Sequence, residues 1–179
     1  MSILKVARMG HPVLRTPTLP VETSEIATPE VQRLIDDMFD TMGEYRGIGL
    51  AAPQVHRGLR LFVAGIDDPE ASMPPVVMFN PVVEPVGSEI EEDWEGCLSI
   101  PDLRGRVPRS VEVRVRALDR GGSPISMTAS GFPARIIQHE TDHLDGILFL
   151  DKMTSLDSLT FLNEYGHYWD KEGTVTSET

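Results

Sequence analysis

The sequence predicts an α+β domain in which antiparallel strands pack around a central helix. Three observations carry this reading. Residues near 28–45 and 131–146 show apolar side chains at helical spacing. Between these windows lie short runs rich in Val, Ile, Leu and Phe, the composition of strands. The last clear run alternates apolar and charged residues and ends on two glycines, the pattern of a half-buried strand entering a hairpin.

The first helix is expected from Thr28, which can cap it, with Pro29 in the first turn and an end near Tyr45. Val31, Leu34, Ile35, Met38 and Met42 then fall on one face. Strands are expected over Leu59–Ala64, Val76–Phe79, Val82–Val86 and Val111–Leu118. In the last, Val111, Val113, Val115 and Ala117 share a face opposite Glu112, Arg114 and Arg116. Asp119-Arg120-Gly121-Gly122 reads as the turn into a partner strand at Ile125–Ala129. The second helix should start near Gly131–Pro133 and stop at Gly146, a residue suited to the left-handed position after a helix.

Length and composition limit the function classes. A chain of 179 residues reads as one domain over 1–179, large enough to bury a core without disulfides. The single cysteine excludes an internal disulfide, which suits a reducing compartment. No apolar run approaches a membrane span, and the N-terminus lacks the apolar stretch of a signal peptide, so no membrane partner is expected. A net charge of −12 argues against an autonomous nucleic-acid binder.

The chemistry concentrates in His139-Glu140-Thr141-Asp142-His143. Residues i and i+4 lie one turn apart on a helix face, so both imidazoles can reach one ion. Glu140 is placed to serve a water at that ion without being a ligand. The lone Cys97 stands in Glu95-Gly96-Cys97-Leu98-Ser99. A thiolate with two imidazoles makes three protein ligands and leaves a position open, as in a catalytic rather than a structural site. Taken singly, each feature has a plainer reading: a solvated helix, or a small buried hydrophobe. A third block, Gly47-Ile48-Gly49-Leu50-Ala51-Ala52-Pro53-Gln54, lacks the last glycine of a dinucleotide fingerprint and follows a helix rather than a strand. The expected architecture is therefore antiparallel sheets packed around a central metal-binding helix.

In this order, Gly-Ile-Gly-Leu-Ala-Ala-Pro-Gln, Glu-Gly-Cys-Leu-Ser and Gln-His-Glu-Thr-Asp-His-Leu-Asp-Gly resemble the three signature motifs of the peptide deformylases. The resemblance covers Ile3 to Met153, and Phe132-Pro133-Ala134-Arg135 is similar to the organellar-type subgroup. It implies hydrolysis of the N-terminal formyl group of formyl-methionyl nascent peptides, with release of formate. It further implies one divalent ion on Cys97, His139 and His143, natively Fe²⁺. The ligand set alone also suits Zn²⁺, Ni²⁺ or Co²⁺. Glu140 would then be the proton carrier, with the Gln54 amide and the Leu98 backbone N–H as oxyanion donors. Asp142 can orient an imidazole or a backbone group from behind the ligands.

Substrate binding is expected as an added strand against the glycine-bearing motifs, including Gly49 and Gly96. By resemblance, the methionine pocket would be lined by Ile48, Phe132, Arg135, Ile136 and His139, with Arg135 narrowing it or adding a polar rim. The implied setting is cytoplasmic, or the matrix of an organelle for a mature imported protein. Some bacterial members dock on the ribosome through a basic C-terminal helix. Here residues 151–179 hold six acidic side chains against two lysines, so transient ribosome contact would not use a basic tail. Leu156, Leu159, Phe161 and Leu162 can pack back on the body, while residues from about 167 read as a disordered tail without a catalytic-looking group. Two other classes compete. A zincin-type protease would take its third ligand downstream, but Asp151, Asp157 and Glu164 sit in no recognisable motif. A non-catalytic metal or peptide binder would not be expected to keep both Glu140 and Gln54.

Overall fold

The computed structural model describes residues 2–65 and 73–170. Its strands are β1 (Gly49–Ala51), β2 (Leu61–Ala64), β3 (Val76–Pro85), β4 (Ile90–Cys97), β5 (Ile100–Ser110), β6 (Glu112–Leu118), β7 (Pro124–Ser130) and β8 (Thr160–Phe161). Its helices are α1 (Thr23–Ile26), α2 (Pro29–Glu44), α3 (Phe132–Leu144), α4 (Phe149–Lys152) and α5 (Leu162–Tyr168). One sheet runs β1-β2-β3-β6-β7 and a smaller one β4-β5-β8, with antiparallel pairing throughout both.

Helix α2 forms as its sequence dictates. The Thr28 hydroxyl accepts the Val31 N–H at the N-cap, Pro29 occupies the first turn, and Val31, Leu34, Ile35, Met38 and Met42 are buried. That face covers one side of the large sheet through Leu61, Val63, Val77 and Phe79. The alternate residues Phe62, Ala64 and Met78 point the other way, toward Ile136, Ile137 and Leu144 of α3. All four residues of β2 are therefore buried, which explains why this strand reads as a continuous apolar run. Each large side chain so buried contributes on the order of 1.5–3 kcal/mol.

Helix α3 is central. It packs on β1, β2, β3 and β7 of the large sheet and on β5 of the small one. The Gln138 side chain donates to the Ser110 carbonyl and accepts the Ser110 N–H, tying the helix to the end of β5. At its C-terminus the Leu144 carbonyl accepts both the backbone N–H and the hydroxyl of Thr18. Gly146 follows with φ +74°, where a side chain would be strained.

The structure adds five short elements outside the expected pattern, α1, β1, α4, β8 and α5, and differs from it at three further places. Val76–Phe79 and Val82–Val86 belong mostly to one strand, β3, which passes Asn80-Pro81 through a register shift. Asn80 takes φ +52° there, and its amide exchanges hydrogen bonds with the Val21 backbone. The long β4–β5 hairpin has no counterpart among the expected strands. Its first four residues are all exposed, and β5 carries Pro101, Gly105 and Pro108, so neither strand shows a clean alternation. Finally, residues 167–170, read from the sequence as part of the tail, complete and follow α5. Tyr168 closes α5, and the Trp169 ring lies 5.7 Å from that of Trp94. Residues 171–179 of that tail lie outside the described residues.

Candidate active site

The hairpin β4–β5 brings the lone cysteine to the helix that carries the two histidines. Cys97 ends β4, and a register shift between Glu95 and Cys97 precedes the tight turn at Leu98-Ser99. The ligand atoms of Cys97, His139 and His143 all lie within 4.8 Å of one another, with Cys97 Sγ 3.2 Å from His143 Nε2. Cys97 and His143 are buried and His139 nearly so. This donor set fits one tetrahedral divalent ion with a position left for water or substrate.

The surroundings fix each donor. Glu95 Oε2 sits 2.9 Å from His139 Nδ1, so that nitrogen is held by a carboxylate and Nε2 is left for coordination. Glu95 is in turn held by both Nε and Nη2 of Arg109, at 2.9 and 3.0 Å, and by Arg135 Nη1 at 2.9 Å. These ion pairs outweigh burial and keep the Glu95 carboxyl well below its ordinary range, hence ionised. Burial would lower His139, but its hydrogen bonds to Cys97 and Glu95 hold it well above its ordinary value while no ion is bound. Burial, with the neighbouring charge of His139, drives His143 well below its ordinary value and leaves a neutral ring.

Glu140 occupies the facing wall. Its Oε2 is buried with no hydrogen-bond partner, and burial pushes its carboxyl up to about 7. A buried carboxylate oxygen without a partner, beside three converging donors, fits a water held at a bound ion. Gly49 of β1 makes room for it: a Cβ at that position would lie 2.7 Å from Glu140 Cδ. Gln54 approaches from the short 3-10 turn at Ala52–Val55. Its Oε1 accepts the Ala51 N–H at 2.8 Å, which fixes the amide and aims Nε2 at Cys97 Sγ and Ser99 Oγ, 3.6 and 3.3 Å away. A cavity of about 410 Å³ opens over these groups.

The description "Polypeptide deformylase" belongs to the family model that matches residues 3–158. A curated relative named peptide deformylase 1, from Nitrosomonas europaea, is 44% identical over 86% of this chain and 89% of its own. The chain belongs to the polypeptide deformylase family. It is therefore a metal-dependent hydrolase that removes N-formyl groups from nascent peptides. Solved deformylase structures superimpose on it closely. The class I type b enzyme of Acinetobacter baumannii bound to Met-Ala-Ser has a TM-score of 0.79 at 40% identity, covering 84% of this chain and 99% of that one. The Thermotoga maritima deformylase has a TM-score of 0.78 at 33% identity, over 87% of this chain and 100% of that one.

Most residues singled out from the sequence converge on this deformylase cavity. Ile48, Gly49, Gln54, Gly96, Cys97, Leu98, Phe132, Arg135, Ile136, His139 and Glu140 all line it, and His143 lies behind. Two expectations need correction. Arg135 is not a polar rim: it is buried, and its guanidinium is committed to Glu95 and to the carbonyls of Glu91 and Val107. Asp142 orients neither imidazole. It accepts from Arg109 Nη1 at 2.5 Å, and Glu95 holds His139 instead. Of the zincin candidates, Asp151 is committed to Arg15 and the Leu148 N–H. Sequence reasoning missed Arg109 and the role of Glu95, although Glu95 stands two residues before the ligand cysteine. It also missed Trp94, Leu162 and Tyr165, which line the same cavity. An aromatic pair at i and i+4, Tyr165 and Trp169, was the available signal for the last.

Proposed function

We propose that this chain deformylates formyl-methionyl peptides through a single Fe²⁺ held by Cys97, His139 and His143, with Glu140 as the proton carrier. The observation that carries this reading is the convergence of the three ligand atoms beside the buried, unpartnered Glu140 oxygen. When bound, a divalent ion supplies Lewis acidity that lowers the pKa of a bound water toward ~7. Glu140 takes a proton from the attacking water and delivers it to the leaving nitrogen, so that the formyl C–N bond breaks to formate and a free amine. The Gln54 amide and the Leu98 backbone N–H receive the oxyanion of the tetrahedral species. Gly49 and Gly96 border the peptide backbone, while Ile48, Phe132 and Ile136 give the methionine side chain an apolar seat. Arg135 shapes that seat from behind through Glu95. Iron is favoured over zinc by family resemblance, and exposure to oxygen then inactivates the site through the ion or Cys97.

The substrate reading is supported by the Met-Ala-Ser peptide bound by the Acinetobacter baumannii relative, which corresponds to a deformylated product. The relatives named above are bacterial, and no helix among the described residues is long and apolar enough to cross a membrane. The reading includes action in the cytoplasm on chains leaving the ribosome, with only weak ribosome contact because residues 151–179 are net acidic.

The test is single-turnover hydrolysis by anaerobically prepared, metal-loaded protein. Formyl-Met-Ala-Ser should lose formate, while Met-Ala-Ser and internal peptide bonds stay intact. In Glu140→Gln, metal content should hold while the rate falls by ~10²–10⁴, the scale of a lost general base. Near-wild-type turnover in that variant would assign the proton transfer to another group.

A further inference from the structure

The two oxyanion donors of the proposed reaction stand on different sheets. Gln54 belongs to the 3-10 turn that follows β1 in the large sheet, while the Leu98 N–H lies in the loop between β4 and β5 of the small one. The N-terminal arm crosses the seam between them. Residues 2–11 lie outside every helix and strand, but their backbone is committed. The Ala7 N–H donates to the Gln54 carbonyl and the Met9 N–H to the Ser99 carbonyl, both at 2.7 Å. Ser99 is fully buried, and its hydroxyl accepts from Gln54 Nε2 at 3.3 Å. The arm is also tied down on either side of these bonds. The Leu4 N–H donates to Thr41 Oγ1 of α2 at 2.8 Å. At the other end the His11 ring lies 4.7 Å from that of His56, the residue that ends the Gln54 turn. Between these anchors Ala7 is buried in one cluster with Cys97, Leu14 and Ile100.

Two donors stabilise a tetrahedral species only while both point at one oxygen, from roughly 2.7–3.1 Å away. Their separation therefore matters as much as their presence. We infer that residues 7–9 are a brace that sets the gap between the two donors, with Met9 (through its backbone N–H) and Ser99 (through its hydroxyl) as positioning residues for deformylation. This rests on the reading of Gln54 and the Leu98 N–H as the oxyanion donors. The Gln54 amide carries two protons. Ser99 Oγ takes one while Oε1 accepts the Ala51 N–H, so flipping the amide would break both bonds. The other proton is left on the side of Cys97 Sγ, 3.6 Å away, where the ion would bind. The backbone bonds act one level down. They hold the Gln54 and Ser99 carbonyls against a single segment of chain, so neither turn shifts without breaking a bond to the arm.

The arm offers a substitution that removes one N–H and little else. Arg8-Met9-Gly10-His11 is a turn closed by the His11 N–H on the Arg8 carbonyl at 3.0 Å, with Gly10 at φ +102°, so position 9 is where such a turn accepts proline. Met9→Pro keeps the turn and deletes the donor to Ser99. Met9→Leu is the conservative variant: it keeps the N–H and changes only a half-exposed side chain. With metal-loaded full-length protein and formyl-Met-Ala, kcat should fall roughly 10- to 100-fold in Met9→Pro and in Ser99→Ala, the scale of a misplaced rather than a missing donor. KM should stay constant, and Met9→Leu should restore turnover. In a Gln54→Ala background, Met9→Pro should lower kcat by about twofold at most, because the donor it positions is gone. A second readout needs no ion. In metal-free protein the ¹H–¹⁵N signals of the Gln54 side-chain amide should move in Met9→Pro and Ser99→Ala and hold in Met9→Leu. If Met9→Pro fails to fold, Ser99→Ala decides on both readouts. Losses confined to KM, full multiplication with Gln54→Ala, or unmoved amide signals would each overturn the brace. Wild-type kcat in Gln54→Ala would instead remove the oxyanion reading and the brace with it, and absence of formate release by wild type would remove the deformylase reading.

Discussion

Glu140 shows how one side chain's burial sets both its chemistry and its cost. Its carboxyl is raised from 4.5 to about 7 because ionising it in this enclosed site is unfavourable. A raised folded-state pKa means stability is fully present below about 4.5 and is lost as pH climbs to about 7. The loss amounts to roughly 3 kcal/mol, at 1.36 kcal/mol per unit. Metal-free wild-type protein should thus lose thermal stability across that window, and Glu140→Gln should remove this part of the loss. Parallel melting curves with and without the substitution would show no such divergence if Glu140 were solvated. Glu95 behaves oppositely, since its depressed value makes it a stable anion among Arg109, Arg135 and His139. Glu95→Ala would leave Arg135 buried without a carboxylate and Arg109 with Asp142 alone, and a destabilisation of about 3–5 kcal/mol is expected in urea unfolding. A loss below ~1 kcal/mol would mean that water enters and takes over the pairing.

At the scale of elements, the site is made where β1, the β4–β5 hairpin and α3 meet. Arg109 on β5 reaches Glu95 on β4 and Asp142 on α3, so one guanidinium clamps the hairpin to the helix. The clamp holds Cys97 at a fixed depth relative to His139 and His143. On the other side β1 approaches α3 so closely at Gly49 that Glu140 occupies the space a side chain would need. Gly49→Ala should leave the circular-dichroism spectrum native while lowering kcat/KM for formyl-Met-Ala by tenfold or more, because Glu140 must rotate away. Unchanged turnover would show that the carboxylate has another productive position. Helix α3 and strand β6 were legible in the sequence because periods of 3.6 and 2 are written into their buried faces, and β2 was legible as a continuous apolar run. The β4–β5 hairpin was not. Its exposed first half and its prolines hide the alternation, and the pairing of β4 with β5 supplies what local pattern lacks.

Across the whole molecule, the ion should act as a cross-link between the small sheet and the central helix. Removing it with a chelator leaves Cys97, His139 and His143 gathered in the interior with the Glu140 oxygen unsatisfied. A ligand that binds only the folded state adds RT ln(1 + [L]/Kd), about 2.7 kcal/mol at a hundredfold excess over Kd. The melting temperature should therefore fall on chelation and recover on adding Fe²⁺, Ni²⁺ or Zn²⁺. In Cys97→Ala the metal-dependent rise should shrink and bound metal should drop well below one per chain. Full occupancy in that variant would exclude the thiolate as a ligand.

What the sequence determined by itself was the chemistry. Three motifs hold a cysteine, two histidines one helical turn apart, a glutamate between them and a glutamine, and the family resemblance they carry marks the candidate ligands and the candidate proton carrier. Local periodicity likewise determined α2, α3 and the buried face of β6, because burial on one face leaves its mark at fixed intervals. Only the tertiary structure decided which carboxylate supports His139, since Asp142 stands three residues from it in sequence and Glu95 forty-four. They differ in reach: Glu95 faces the ring across 2.9 Å, while Asp142 turns to Arg109. It also decided that Arg135 belongs to the interior and that the acidic C-terminal segment walls the cleft. Each of these depends on contacts between residues 28 or more positions apart, or on a helix docking through two aromatic rings. No local pattern encodes such contacts, because they exist only once the sheets have packed around α3.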